Sequence, residues 1–132
     1  MTVDLPAAVK AAILAQAAAA HPRECCGLLE GVREDDMFRI TALHPARNLS
    51  GDHDRFEINP ADHMAAQKAA RAGGHAIIGC YHSHPHGPAQ PSAIDLAGAA
   101  QEDFLWLIAG ADELNAFAYR AGEFRKLITG AD

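Results

Sequence analysis

Apolar positions along this chain fall into short runs separated by charged or glycine- and proline-rich breaks, and the spacing within each run predicts an element. Val9, Ile13 and Leu14 recur at helical spacing in an alanine-rich stretch, which predicts a first helix opened by Asp4 and Pro6 and stopped by His21-Pro22. Two strand-like runs follow, Glu24 to Val32 and Met37 to Leu43, and predict a hairpin about the charged Arg33-Glu-Asp-Asp36 turn. Asn59-Pro60 opens a second helix, Ala61 to Arg71, closed by Gly73-Gly74. The run Ala76-Ile77-Ile78-Gly79-Cys80-Tyr81 reads as a buried strand leading into His82. A short helix is read in Ser92-Ala-Ile-Asp-Leu-Ala-Gly-Ala-Ala, and three strands after it: Phe104 to Ala109, Leu114 to Tyr119 and Phe124 to Ile128. Strands interspersed with helices define the class as α/β, a mixed sheet flanked by helices.

The 132 residues suit one domain spanning 1–132, and 49% hydrophobic content excludes wholesale disorder. A chain of this size buries roughly two-thirds of its unfolded surface. The net charge of -6, with Arg33, Arg39, Arg47, Arg55 and Arg71 scattered, argues against nucleic acid as partner. The alanine-rich start is too poor in strong hydrophobes to span a membrane. It also lacks a basic leader, since Asp4 precedes Lys10, so a cytoplasmic protein with no membrane partner is expected. Cys25, Cys26 and Cys80 cannot all pair and show no CxxC spacing; they are expected to pack as small apolar residues. A nucleophilic Cys25 or Cys26 is disfavoured, because thiols inside an apolar strand are pushed toward high pKa.

The chemistry concentrates in His82-Ser-His-Pro-His-Gly-Pro-Ala-Gln-Pro-Ser-Ala-Ile-Asp95. Side chains two apart on a strand share a face, so His82 and His84 can reach one ion. Ser92 and Asp95 share the first turn of the following helix, where they fit either a capping box or a functional pair. If that helix starts beside the strand end, Asp95 can be a third ligand, leaving an open position for water. His86 reads as a solvated loop histidine. His21, His44, His53, His63 and His75 have no spacing suggesting a second metal, and neither HExxH nor the HxE with PCxxC pattern occurs.

The pattern HxH, seven residues, Ser, two residues, Asp resembles the signature of the JAMM (MPN+) metalloprotease family, filled here by His82, His84, Ser92 and Asp95. The family also needs a glutamate upstream, and Glu24, before Cys25-Cys26-Gly27-Leu28-Leu29, resembles that element. Asn48, Arg55-Phe-Glu-Ile-Asn-Pro60 and the HSHP tetrapeptide have the character of short stand-alone bacterial and archaeal members. The resemblance implies a curved mixed sheet sandwiched by helices, one Zn(2+) ion on His82, His84 and Asp95, Glu24 as general base and Ser92 as oxyanion donor. Glu24, at the edge of a buried strand, is expected to have a raised pKa. Glu30, Glu34, Glu57, Glu102, Glu113 and Glu123 are expected to be solvated surface charges.

By this resemblance a zinc-bound water, its pKa lowered to about 7, attacks the scissile carbonyl while Glu24 takes its proton. The implied substrate is the peptide or isopeptide bond after the C-terminal glycine of a ubiquitin-like protein, here preferably a small sulfur carrier. Its extended tail could add a strand to the sheet edge. Two other readings stay open: a non-catalytic MPN-type scaffold or binding module, and a zinc amidase acting on small peptides or cell-wall fragments. Oligomeric state is not legible.

Overall fold

The computed structural model describes residues 1–130. Three helices, α1 (Ala7–Ala20), α2 (Pro60–Ala72) and α3 (Ala93–Gly98), flank a single sheet. Its strands are β1 (Thr2–Asp4), β2 (Cys26–Glu34), β3 (Met37–Ala46), β4 (Ala76–Ser83), β5 (Phe104–Ala109), β6 (Leu114–Arg120), β7 (Glu123–Lys126) and β8 (Ile128–Gly130). They are ordered β7-β6-β5-β4-β2-β3-β1-β8. Pairing is parallel for β1 with β3, β1 with β8 and β4 with β5, and antiparallel elsewhere, which makes this the curved mixed α/β sheet expected.

The order has an uncommon feature. The strands at the two edges, β7 and β8, are separated in the chain by Leu127 alone, so the sheet must curl until its edges nearly meet. Leu127 is buried and its N–H donates to the Ala116 carbonyl at 2.8 Å. The run Phe124 to Ile128, read as one strand, is therefore split, because β6 supplies the partner for its first part and β1 for its last. A second correction lies at the other terminus. Asp4 belongs to β1 rather than to a helix start, and α1 begins after Pro6 with no side-chain cap.

Strand alternation divides the core into two layers. Leu29, Tyr81, Leu105 and Leu107 pack with Ile13 of α1, while Leu28, Cys80, Trp106 and Ile108 pack with Ala66 of α2. Tyr81 lies over Gly27, where any β-carbon would run into its ring, and its hydroxyl donates to Gln16 Oε1 at 2.7 Å. The N-terminus of α2 is capped by Asn59, whose side chain accepts from Ala61 and Asp62 N–H. No helix among the described residues is long and apolar enough to cross a membrane.

Glu30 departs from its expected role as a solvated charge. It is 8% exposed and sits where the register of β2 slips against both β3 and β4. Its two carboxylate oxygens accept from His44 Nε2 at 2.8 Å and His75 Nδ1 at 2.7 Å. The histidines come from β3 and from the entry to β4, so one carboxylate ties three segments across the bulge. Two histidines without any motif spacing thus find a partner that only the pairing of strands brings near.

The hydrogen bonds from His44, then His75, hold the Glu30 carboxyl below its ordinary 4.5. The native state therefore binds this proton more weakly than the unfolded chain. Its stabilising contribution is complete above pH 4.5 and is lost as pH falls through the lower native value. Glu30→Gln should reduce unfolding free energy by about 1–2 kcal/mol at neutral pH. Urea titrations of wild type and variant should converge toward the acid end; a difference independent of pH would assign the loss to packing instead.

Candidate functional site

The site forms where the first residues of β2 meet the last of β4. Antiparallel pairing sets Cys26 opposite His82, and the ladder continues one step beyond it: Ser83 N–H donates to the Cys25 carbonyl at 3.1 Å. The buried Ser83 hydroxyl accepts from Cys25 N–H at 2.9 Å. Glu24 lies just ahead of β2 rather than in it, and is carried to the mouth of the site by this extension. On the other side, His84 N–H donates to the Ala109 carbonyl at 2.8 Å, fixing His84 at the end of β5.

Asp95 arrives by a different route. The loop after Pro85 is tethered by Asn115 Nδ2, which donates to the Ala89 carbonyl at 3.0 Å, and it delivers α3 to the strand ends. Ser92 caps α3: its Oγ accepts from Asp95 N–H at 3.0 Å, and Asp95 Oδ2 accepts from Ser92 N–H at 2.9 Å. The two residues read as either a capping box or a functional pair do form the capping box. Acting as acceptor there, the Ser92 hydroxyl still has its own proton to donate.

Three side chains meet. His82 Nε2 lies 3.0 Å from His84 Nε2 and 3.1 Å from Asp95 Oδ1, and His84 Nε2 lies 3.0 Å from Asp95 Oδ2. Ligand atoms around a tetrahedral ion at 2.0–2.1 Å are spaced by about 3.3 Å, close to this arrangement. Glu24 offers a carboxylate oxygen within 4.8 Å of ligand atoms of both histidines. All five residues singled out in the sequence, Glu24, His82, His84, Ser92 and Asp95, are brought together.

The shifts of His82 and Asp95 favour the forms that can bind a cation, while at His84 a proton competes for the same nitrogen. Burial pushes the His82 pKa down, favouring the neutral ring that can offer a lone pair. For His84 burial works the same way, but hydrogen bonds to Asp95 and to the Pro88 carbonyl, with the nearby carboxylates, turn the net shift upward. Its Nδ1 donates to the Pro88 carbonyl at 2.8 Å, so Nε2 carries a proton toward Asp95 when the ring is charged and offers a lone pair when it is neutral. Burial alone would raise Asp95, yet the bonds from His82, His84 and Ser92 N–H hold it well below the carboxylate range. Burial raises Glu24 to about 7, in the expected direction, with Asp95 and Asp54 adding to it and His84 opposing.

The fit to a metal rests on the closeness of these nitrogen and oxygen atoms and on the desolvated Glu24 carboxyl beside them. Glu24 Oε1 and His82 Nδ1 are buried without a hydrogen-bond partner among the described residues. The inward nitrogens of His82 and His84 and the Asp95 carboxylate are bridged by protons that a divalent cation can replace. A cleft of about 330 Å³ opens beside it, lined by Glu24, Asp54, His84, His86 and Ser92. His86 is exposed, with its ring edge toward His21 at 5.2 Å. The thiols give no rival centre: all three cysteines are free, and burial raises Cys25, Cys26 (to about 12) and Cys80.

Two residues carry more of the site than their motif value suggested. Asn48 donates from Nδ2 to the Glu24 carbonyl at 3.0 Å and accepts at Oδ1 from Ser50 and Glu57 N–H, both at 2.9 Å. Phe56, in the loop Asn48 closes, stacks on His82 with ring centroids 4.3 Å apart. The legible signal for Asn48 was its residue type in a polar loop, since one amide side chain can satisfy several backbone groups. Phe56 offered no local signal, because its contact spans two distant segments.

A mixed α/β fold with a histidine–carboxylate cluster at its sheet end is the class these observations define. The family model described as prokaryotic homologues of the JAB domain matches residues 6–122. A desampylase of Haloferax volcanii is 33% identical over 113 residues, which is 84% of this chain and 80% of that protein. A probable TtuB-protein conjugate cleaving protease of Thermus thermophilus is 31% identical over 77% of this chain and 66% of its own length. A solution structure of a Desulfitobacterium hafniense protein superposes with a TM-score of 0.89 at 29% identity, covering 100% of this chain and 93% of that one. The chain belongs to the prokaryotic JAB-domain family of small JAMM/MPN-type proteins.

Replacing Asn48 with Ala removes the staple between Glu24 and its loop. About 0.5–1.5 kcal/mol of stability should be lost, as expected when hydrogen bonds to part-buried and exposed backbone groups are removed. Limited proteolysis should show faster cutting between residues 49 and 55; an unchanged digestion rate would mean that the loop closes without Asn48.

Proposed function

We propose that this protein is a zinc-dependent peptidase or isopeptidase that hydrolyses the bond after the C-terminal glycine of a ubiquitin-like or sulfur-carrier protein. The observation that carries the reading is the convergence of His82 Nε2, His84 Nε2 and the Asp95 carboxylate within 3.1 Å of one another. The Glu24 carboxyl, whose Oε1 is buried without a hydrogen-bond partner among the described residues, stands beside them. An interaction scaffold has no need of a desolvated acid next to an open cation site, whereas hydrolysis needs both. The names of the Haloferax and Thermus relatives support a protein conjugate as the substrate class.

His82, His84 and Asp95 would hold the zinc. When bound, the ion supplies Lewis acidity at the scissile carbonyl and lowers the pKa of water to about 7. Glu24 takes the proton of the attacking water at its carboxylate and delivers it to the departing amine as the C–N bond breaks. Water thus provides hydroxyl to the carbonyl carbon and hydrogen to the amine, with no covalent link to the protein. Ser92, its Oγ already anchored by Asp95 N–H, donates its own proton as a hydrogen bond to the oxyanion. Asp95 serves twice, as ligand and as the N-terminal partner that orients Ser92.

The test incubates the protein with a ubiquitin-like carrier extended beyond its C-terminal glycine and follows mass. Product should form with the wild type and vanish with chelator or with Glu24→Gln. Equal product in either control would reject this site as the centre of hydrolysis. Cleavage of small peptides with the carrier left intact would favour the amidase reading, and zinc uptake with no cleavage of either would favour the scaffold. His82→Ala and Asp95→Ala should abolish metal binding. Ser92→Ala should keep the metal and slow turnover by about 10²–10³-fold.

A further inference from the structure

We infer that Phe56 is a positioning residue that fixes the ring of His82 for metal binding, in the role that a hydrogen bond to the outer nitrogen fills for His84. The inference rests on the metal-site reading above and concerns how one member of that site is held.

The two histidines are supported differently. His84 Nδ1 donates to the Pro88 carbonyl at 2.8 Å, so rotation of its ring would break a hydrogen bond. His82 Nδ1 has no hydrogen-bond partner among the described residues, although the side chain is 0% exposed. Metal-binding histidines as a rule have their second nitrogen engaged, which sets tautomer and ring orientation together. For His82 that restraint has to come from packing.

Phe56 provides it. Its ring lies 4.3 Å from the His82 ring at an interplanar angle of 22°, while Trp106 meets His82 edge-on at 5.7 Å and 87°. Phe56 covers one face of the imidazole, and Trp106, 6.0 Å from Phe56 as well, stands beside the ring rather than on its opposite face, so the flat support comes from Phe56. Turning the ring about its Cβ–Cγ bond would drive its edge into the Phe56 face. Trp106 is itself held by β5 and by edge contacts with Phe56 and Phe124. Phe56 is half-buried and belongs to no strand, so its placement needs an explanation.

That explanation is the loop closure. Leu49 N–H donates to the Glu57 carbonyl at 2.8 Å, Asn59 N–H donates to the Arg47 carbonyl at 3.0 Å, and Asn48 Oδ1 holds the N–H of Glu57. These bonds pin the residue next to Phe56 and aim the ring at β4. On its other side Phe56 borders a groove of about 250 Å³ that also contains Asp95 and Ile94. The same ring therefore backs one proposed ligand, His82, and walls the space beside another, Asp95.

The experiment measures zinc affinity by chelator competition for wild type, Phe56→Leu and Phe56→Tyr, with urea midpoints recorded alongside. Leu keeps apolar bulk but removes the flat face; Tyr restores the face. Phe56→Leu should weaken zinc binding roughly 10–100-fold, the usual cost of losing an outer-shell partner, and Phe56→Tyr should stay close to wild type. Should the Leu variant not fold, Phe56→Met, another flexible side chain without a face, carries the same comparison. Unchanged affinity in a folded variant lacking the ring overturns the inference, as does equal weakening by Leu and Tyr. A wild-type protein that takes up no zinc would instead sink the metal-site reading itself, so the two failures are distinguishable.

Discussion

The antiparallel pairing of β2 with β4 is the constraint on which the rest of the site depends. It sets Cys26 opposite His82, so the start of one strand and the end of another share one end of the sheet. Glu24 and the histidine pair are thereby neighbours despite the long stretch of chain between them. The Ser83 hydroxyl and amide extend that pairing past the last ladder residue, to Cys25. A one-residue slip would turn His82 from the α2 layer to the α1 layer and exchange it for Tyr81 or Ser83. Tyr81 opposes such a slip, because its ring occupies the space over Gly27 and its hydroxyl is bound by Gln16.

A short helix contributes the remaining groups, and economy of atoms explains how. A six-residue helix has little stability of its own, and its first turn needs partners for exposed N–H groups. The reciprocal bonds between Ser92 and Asp95 provide them while fixing both side chains at the strand ends. The interaction that caps this helix is also the one that orients the two side chains proposed to act in the site. Structural and functional accounts of Ser92 and Asp95 are therefore one account, and a substitution that spared the chemistry while breaking the cap would still disturb the site.

What was legible in the sequence follows the range of each interaction. His82 and His84 on one strand, and Ser92 with Asp95 on one helical turn, are local relations, and spacing alone announces them. The hairpin of β2 and β3 was legible for the same reason, with Asp35 taking the left-handed conformation at its turn. The misses are non-local. Nothing near Thr2–Asp4 or Ile128–Gly130 indicates that these short segments pair with each other, and nothing near Glu30 points to His44 and His75. Phe56 was visible only as part of a resemblance, because its partner lies on β4. Side chains that meet across strands depend on topology, which periodicity does not encode.

The geometry of the sheet also explains how such a cluster can exist. Glu24 is 3% exposed and raised to about 7, while His82 is fully buried and lowered, so both groups oppose folding when nothing satisfies them. Unsatisfied buried polar atoms cost about 1–3 kcal/mol each, a large share of a small protein's stability. The offset lies away from the site, in apolar layers on both sides of a sheet curled until β7 and β8 are separated by Leu127 alone. In this frame β4 is paired on both sides, with β2 and with β5, which fixes the strand that carries His82. A cation that binds only the folded state would then add its own binding free energy to a frame already able to hold the site open.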